Sequence, residues 1–224
     1  DPYVVTGEAI NSDAKEIARR YVDEIRRVRA TGPYHLLGWS VGGVLADAVA
    51  TTLQDEGEHV AFLGVMDARP LESDEHSTET GHAAEPDGEL VADILGGWRD
   101  LFDLGADVTA ATPDQVAEIV RAQLSGMGLI EDDQVGRIME SFAAAEVVVA
   151  RFRPSTFVGD MLVFTATADK DDPAIVAEAW RPYVTGQIRN VDIDTHHLGL
   201  ADEAALAVIG PELETALRWA DGSE

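Results

Sequence analysis

The residues of this chain best suited to covalent chemistry lie in the stretch GWSVGG, which places Ser40 between Gly38 and Gly42. An apolar run, YHLLG, leads into this stretch, and VLADAVATTL follows it. Glycines two residues before and after a serine permit a sharp turn from a strand into a helix, which exposes the hydroxyl at the carboxyl end of the strand. The pattern predicts that Ser40 is a nucleophile and that the backbone N–H of Val41 helps to bind an oxyanion. The alternative is an ordinary glycine-rich turn.

A serine nucleophile needs a general base, which is most often a histidine. Four of the six histidines lie in predicted strands or in a polar loop, where packing or solvation accounts for them: His35, His59, His76 and His82. The other two, His196 and His197, lie between the last predicted strand and the last predicted helix. In α/β-hydrolases the chain order of nucleophile, acid and histidine places the base in this loop.

The base in turn needs a carboxylate to orient it, and two aspartates each follow a predicted strand. Asp67 ends the run FLGVMD, and Asp169 follows LVFTATA. The usual hydrolase position, after the later strand, favours Asp169, but composition alone leaves both aspartates open. Whichever of them is not the acid is expected to cap a helix or end a strand.

Short apolar runs and helical periodicity alternate along most of the chain, which is typical of crossover units in a mostly parallel sheet. Strands are predicted at 2–7, 32–38, 59–67, 160–169 and 187–193, and helices at 12–30, 41–56, 173–180 and 202–219. The alternation stops at 71–155, where an acidic loop is followed by predicted helices at 89–104, 113–127 and 132–152. We therefore predict one α/β domain with a helical insertion.

Composition narrows the classes of function. The chain has 224 residues, 46% of them hydrophobic, which is enough for one good-sized core. A formal net charge of -26 argues against nucleic acids and membrane surfaces as partners. Because cysteine is absent, disulfides, thiolate metal sites and a cysteine nucleophile are excluded. We expect a cytoplasmic protein, and no metal site, since His196 and His197 lack further ligands at a usable spacing.

The run GPYHLLGWSVGGVLADAVATTLQDEGEHVAFLGVMDARP resembles the type I thioesterase domains that terminate nonribosomal peptide synthetases and mixed peptide/polyketide assembly lines. In that family the acid usually lies 27 residues after the serine, which implies Asp67. The segment HHLGLADEAALAVIGPEL resembles the C-terminal part of the family, and placing the IGP of Ile209–Pro211 in register implies that His197 is the catalytic histidine.

The resemblance implies an α/β-hydrolase fold in a single thioesterase domain, 1–224, with a core at 1–70 and 156–224 and a helical lid at about 71–155. Four lid residues are candidates to face the substrate, and the alternative is that they pack between lid helices: Trp98, Phe102, Met127 and Phe142. Only PYVVTG is present where the family has several early strands, so the N-terminal strands are expected to be missing or minimal. The second oxyanion donor of the family belongs to that early part.

The resemblance also implies a reaction. A peptidyl or acyl chain carried as a thioester on the phosphopantetheine arm of an upstream carrier domain is transferred to Ser40, and it is released by macrocyclisation or hydrolysis without a bound cofactor. One alternative is a stand-alone editing (type II) thioesterase or acyl esterase, for which Asp169 would be the acid. Another is a non-catalytic module that binds carrier proteins.

Overall fold

A computed structural model describes residues 14–70, 152–168, 170–220 and 222. These residues all belong to one compact unit, formed by Asn11–Glu72 together with Val148–Glu224. The predicted strand at 2–7 and the predicted helices at 89–104 and 113–127 lie outside the described residues, so they stay predictions. Phe152, where the third insertion helix is predicted to end, is buried but has no regular secondary structure.

The described strands and helices are, in chain order, α1 (Ala14–Val28), β1 (Tyr34–Trp39), α2 (Val41–Asp55), β2 (Val60–Met66), β3 (Met161–Ala166), α3 (Ala174–Glu178), β4 (Ile188–Ile193) and α4 (Glu203–Ala220). Two short 3-10 helices lie at Arg181–Tyr183 and His197–Ala201. Each strand and α-helix lies where the sequence predicts one. The observed bounds agree closely with the predicted ones because glycines, prolines and polar residues flank most of the apolar runs.

The four strands form one sheet in the order β1-β2-β3-β4, and every neighbouring pair is parallel. Parallel neighbours need crossover connections, and α2 supplies the one between β1 and β2, while α3 lies between β3 and β4. The predicted parallel sheet is therefore confirmed for the described residues. Because all four strands run the same way, their carboxyl ends lie along one edge of the sheet.

Different helices cover the two faces of the sheet. Alternate residues of a strand point to opposite faces, and on β2 Val65 lies close to Gly43 of α2. The other face meets α4 in one apolar cluster, whose buried members are Phe62, Leu162, Phe164, Ala166, Ile193, Leu200, Ala205 and Ile209. Both faces of the central strands are thus buried, which fixes the position of the residues at the strand ends.

The buried stripe of α1 differs from the one that helical spacing predicts. Spacing selects the larger apolar residues Ile17, Tyr21, Ile25 and Val28, whereas the buried residues are Ala14, Ile17, Ala18 and Val22. Val28, at the end of the helix, is 92% exposed. Two alanines in this stripe are small, so α1 packs closely against α2. Among the described helices, none combines the length and the apolar character needed to cross a membrane.

Candidate active site

A single residue, Ser40, connects β1 to α2. Its backbone has φ 56 and ψ -132, a conformation that residues other than glycine rarely adopt. The backbone N–H of Ser40 donates a hydrogen bond of 2.9 Å to the carbonyl of Met66, the last residue of β2. The side chain is half-buried and makes no capping hydrogen bond to the helix. The predicted sharp turn is therefore present, and the helix does not use the hydroxyl.

The glycines around Ser40 have different roles. A Cβ atom on Gly38 would lie 2.0 Å from the carbonyl oxygen of Gly42, so only glycine fits at this position. A Cβ on Gly43 would lie 2.5 Å from the Cβ of Ala68, in the loop after β2. A Cβ on Gly42 would meet no atom of the described residues within 4 Å. The close approach of α2 to the sheet thus depends on Gly38 and Gly43, and Gly42 is not needed for it.

Val41 is the first residue of α2. The first backbone N–H groups of a helix have no acceptor within the helix, and they lie at the positive end of its dipole. The amide of Val41 is therefore placed directly after the serine, where negative charge would develop on an oxygen attached to a carbon bound to Ser40.

Asp67 follows β2 just as Ser40 follows β1, and it also has a positive φ, of 47. Its backbone N–H donates to the carbonyl of Phe164 in β3 at 2.7 Å. The side chain is only 2% exposed. One carboxylate oxygen, Oδ1, accepts a hydrogen bond of 3.3 Å from the backbone N–H of Ala166. The sheet thus holds a buried carboxylate at its carboxyl edge.

His197 begins the 3-10 helix that follows β4. Its Nδ1 lies 2.6 Å from Oδ2 of Asp67, and its side chain is 15% exposed. When Nδ1 donates its hydrogen to the carboxylate, Nε2 is left with a lone pair and can accept a proton. The neighbouring His196 is exposed. The structure therefore brings Asp67 together with His197, the histidine that the resemblance selects.

Trp39, the residue before Ser40, stacks on the imidazole of His197, with ring centroids 5.6 Å apart and an angle of 28° between the planes. The end of β1 is thus in contact with the loop that follows β4. The sequence analysis missed this contact, because no spacing rule relates a residue of the first described strand to a loop after the fourth.

A second contact that the sequence analysis missed involves Lys170. Its Nζ donates a hydrogen bond of 2.9 Å to Oδ2 of Asp67, the same oxygen that His197 contacts. Asp169, the other candidate acid, lies outside the described residues. The four lid candidates also lie outside them and stay predictions: Trp98, Phe102, Met127 and Phe142.

A serine on a strained turn and a buried carboxylate paired with an imidazole lie at the same edge of the sheet. This set of groups is suited to nucleophilic catalysis, in which the imidazole takes the proton of the hydroxyl and the carboxylate stabilises the resulting cation. Within the described ranges, no group of histidine and acidic residues is arranged to hold a metal ion.

The parallel sheet, the covering helices and the serine at a strand-to-helix turn define an α/β-hydrolase fold. The sequence matches the family model described as the thioesterase domain over residues 2–211. The chain belongs to this thioesterase family.

Similar proteins agree with this assignment. The chain is 33% identical over 215 residues to a dimodular nonribosomal peptide synthase of Bacillus subtilis (strain 168), a match that covers 94% of the chain and 9% of the synthase. The chain thus spans less than a tenth of that relative.

Two solved structures share the fold. The NocB thioesterase domain, in covalent complex with a fluorophosphonate nocardicin G analog, has a TM-score of 0.62 at 21% identity, covering 97% of this chain and 80% of that one. SrfTE, the thioesterase domain that cyclises the lipopeptide antibiotic surfactin, has a TM-score of 0.58 at 19% identity. The match covers 92% of this chain and 76% of that one.

Proposed function

We propose that this chain is a chain-releasing thioesterase in which Ser40 is the nucleophile, His197 is the general base and Asp67 orients the base. The observation that carries this proposal is the 2.6 Å contact between Nδ1 of His197 and Oδ2 of Asp67, at the sheet edge where Ser40 forms its turn. Membership of the thioesterase family supports a thioester as the bond that is attacked.

In the first half of the reaction, Oγ of Ser40 attacks the thioester carbonyl while Nε2 of His197 takes the hydroxyl proton. The backbone N–H of Val41 donates to the oxyanion of the tetrahedral intermediate. As the intermediate collapses, the carbon–sulfur bond breaks, and the sulfur leaves as a thiol with the proton from His197. Asp67 stays ionised throughout and stabilises the imidazolium. An acyl ester on Ser40 remains.

In the second half, His197 takes a proton from the nucleophile that attacks this ester. If the nucleophile is water, the product is a linear acid. If it is an amine or hydroxyl of the bound chain itself, the product is a macrocycle. In both cases the bond to Ser40 breaks and the proton returns to its oxygen. The choice between the two nucleophiles depends on how the site positions the chain and excludes water.

The proposed substrate is a peptidyl or acyl chain held as a thioester on the phosphopantetheine arm of an upstream carrier domain. The similarity to a nonribosomal peptide synthase over nearly the whole chain supports this substrate class. In this scheme the protein needs no bound cofactor of its own, and its partner is the carrier domain. The net charge of -26 argues against a nucleic acid or an anionic membrane as partner.

The test is intact-mass analysis after the full chain is mixed with a peptidyl thioester that mimics the carrier-bound substrate. The wild-type protein is expected to gain the mass of the acyl group, and Ser40→Ala is expected to gain none. Ser155→Ala, which removes a serine hydroxyl from the segment before β3, serves as the matched control and should be acylated like the wild type. An unmodified wild type, or equal labelling of Ser40→Ala, would refute the proposal.

The acylation rates of Asp67→Asn and Asp169→Asn show which aspartate orients the histidine. Asp67→Asn keeps the shape of the side chain but removes the charge that stabilises the imidazolium, so acylation is expected to fall by about a thousandfold or more. Asp169→Asn is expected to leave the acylation rate within a few-fold of the wild type. If only Asp169→Asn lowered the rate, the assignment of Asp67 would be wrong, and the editing thioesterase or acyl esterase reading would replace the chain-releasing one.

A further inference from the structure

The carboxylate of Asp67 contacts two side chains, His197 and the cationic Lys170. Nζ of Lys170 lies 2.9 Å from Oδ2, and Nδ1 of His197 lies 2.6 Å from the same atom. Oδ1 accepts the backbone N–H of Ala166. The Asp67 side chain is 2% exposed, whereas that of Lys170 is 24% exposed. The lysine therefore reaches a buried carboxylate from the boundary with solvent.

We propose that Lys170 is a positioning residue of the active site, which holds the carboxylate of Asp67 where its Oδ2 contacts Nδ1 of His197. This inference rests on the proposed function, because it assigns His197 the role of base. The proposed mechanism uses a serine, a histidine and an aspartate, so a role for Lys170 goes beyond it.

The first part of the argument concerns burial. A carboxylate that is removed from water needs charged or polar partners to replace that water. The ammonium of Lys170 is such a partner, because it contacts Oδ2 directly. It thus compensates the burial of Asp67 at the position from which Asp67 orients the imidazole.

The second part concerns geometry. Oδ2 of Asp67 lies 2.6 Å from Nδ1 of His197 and 2.9 Å from Nζ of Lys170, so one oxygen contacts both groups. The other oxygen, Oδ1, accepts the backbone N–H of Ala166. Rotating the carboxylate away from His197 would also lengthen its charge-assisted hydrogen bond to Lys170, so Lys170 opposes this rotation.

Other charged groups occupy the loops at this edge of the sheet. These are Arg69 after β2, Asp171 and Asp172 after Lys170, and Asp194, His196 and Asp202 on either side of the 3-10 helix that begins with His197. His196 and the four aspartates are exposed, whereas Arg69 is half-buried. Water screens exposed charges strongly, so these groups are not expected to replace Lys170, which is in direct contact with Asp67.

The chain offers a close control, because Lys15 and Lys170 are its only lysines. Lys170→Met and Lys15→Met remove the same charge from the chain, so any effect of net charge on the acylation rate is common to both. Lys170→Arg keeps the positive charge at the site. Lys170→Gln, which retains a hydrogen-bond donor, is the second variant if Lys170→Met does not fold.

The experiment measures the single-turnover acylation rate of the full chain by a small peptidyl thioester, with folding checked by circular dichroism. In Lys170→Met the rate should fall by about tenfold or more, because the carboxylate that orients His197 is less well held. In Lys170→Arg and Lys15→Met the rate should stay close to that of the wild type. A salt bridge with only a structural role would lower the yield of folded protein without slowing the folded fraction.

A second readout tests whether Lys170 acts through Asp67. In the Asp67→Asn background there is no carboxylate for Lys170 to hold, so adding Lys170→Met should slow acylation little further. Wild-type acylation together with an unchanged rate in Lys170→Met, or an equal loss in both backgrounds, would overturn the role of Lys170 while leaving the proposed function intact. Absence of wild-type acylation would refute both.

Discussion

Replacing Asp47 with asparagine is expected to remove much of the dependence of stability on pH between pH 5 and 8. Asp47 lies on α2 and is completely buried, and neither of its carboxylate oxygens has a hydrogen-bond partner among the described residues. Burial without a partner disfavours the charged form, and it raises the pKa of Asp47 from an ordinary value of 3.8 to about 8. The carboxyl is therefore protonated in the folded chain at neutral pH.

The sign and size of the effect follow from linkage. Between pH 4 and 8 the folded state holds a proton on Asp47 that the unfolded state has released, so the free energy of unfolding falls as pH rises through this range. Each pH unit above the unfolded pKa lowers the free energy of unfolding by about 1.4 kcal/mol. The total loss at pH 7 is therefore at most about 4 kcal/mol. Above pH 8 the folded carboxyl also ionises, and the loss levels off.

The assay is urea unfolding of the wild type and Asp47→Asn, followed by circular dichroism at pH 5, 6, 7 and 8. Asparagine has the same shape and does not titrate, so the stability of the variant relative to the wild type should rise by up to about 3 kcal/mol from pH 5 to pH 7. Asp55→Asn, at the exposed end of the same helix, is the control and should show no such rise. A constant difference between wild type and Asp47→Asn at all four pH values would refute the reasoning.

Three further predictions test individual contacts. Gly38→Ala, whose Cβ would lie 2.0 Å from a backbone oxygen, should lower the free energy of unfolding by about 3 kcal/mol, whereas Gly42→Ala should change it by less than about 1 kcal/mol. Equal urea midpoints would contradict this. Trp39→Ala removes the ring that stacks on His197, so single-turnover acylation should slow by about tenfold. An unchanged rate would show that the stack does not position the imidazole. Trp180→Phe removes a buried indole N–H that donates to a backbone carbonyl at 2.8 Å, and it should lower the free energy of unfolding by about 1 to 3 kcal/mol in the urea assay. A loss below 0.5 kcal/mol would mean that water replaces the bond.

The parts of the fold that sequence reasoning predicted are those specified locally. β1 is a short apolar run between Gly32 and Ser40, and α2 ends just before Gly57, so residues next to each element mark its bounds. The turn at Ser40 is also local, because the glycine two residues before the serine is the one that the close approach of the helix requires. Alternation of strand and helix then leads to a parallel sheet, because that arrangement buries both faces.

Contacts between distant segments could not be predicted in this way. Residue types and spacing left Asp67 and Asp169 open as acids, and only the family resemblance favoured Asp67. The contact of Lys170 with Asp67 joins positions 103 apart in the chain. Asp47 is a different case, since an acidic residue in an apolar helix is generally expected to face water. Asp47 instead lies among the buried residues of α2, and the sequence analysis did not single it out.

The sheet itself explains how two residues with positive φ are held in place. Such conformations cost about 1 to 3 kcal/mol each, and they persist where the surroundings fix them. The N–H of Ser40 donates to Met66 at the end of β2, and the N–H of Asp67 donates to Phe164 of β3, so each strained residue is bonded to the neighbouring strand. The position of Ser40 therefore depends on the pairing of β1 with β2. The position of Asp67 depends on the pairing of β2 with β3, two strands that lie far apart in the chain. Because closing so long a connection is entropically costly, we infer that the site is assembled only when this pairing forms, and that a weakened pairing would impair acylation before the sheet as a whole unfolds.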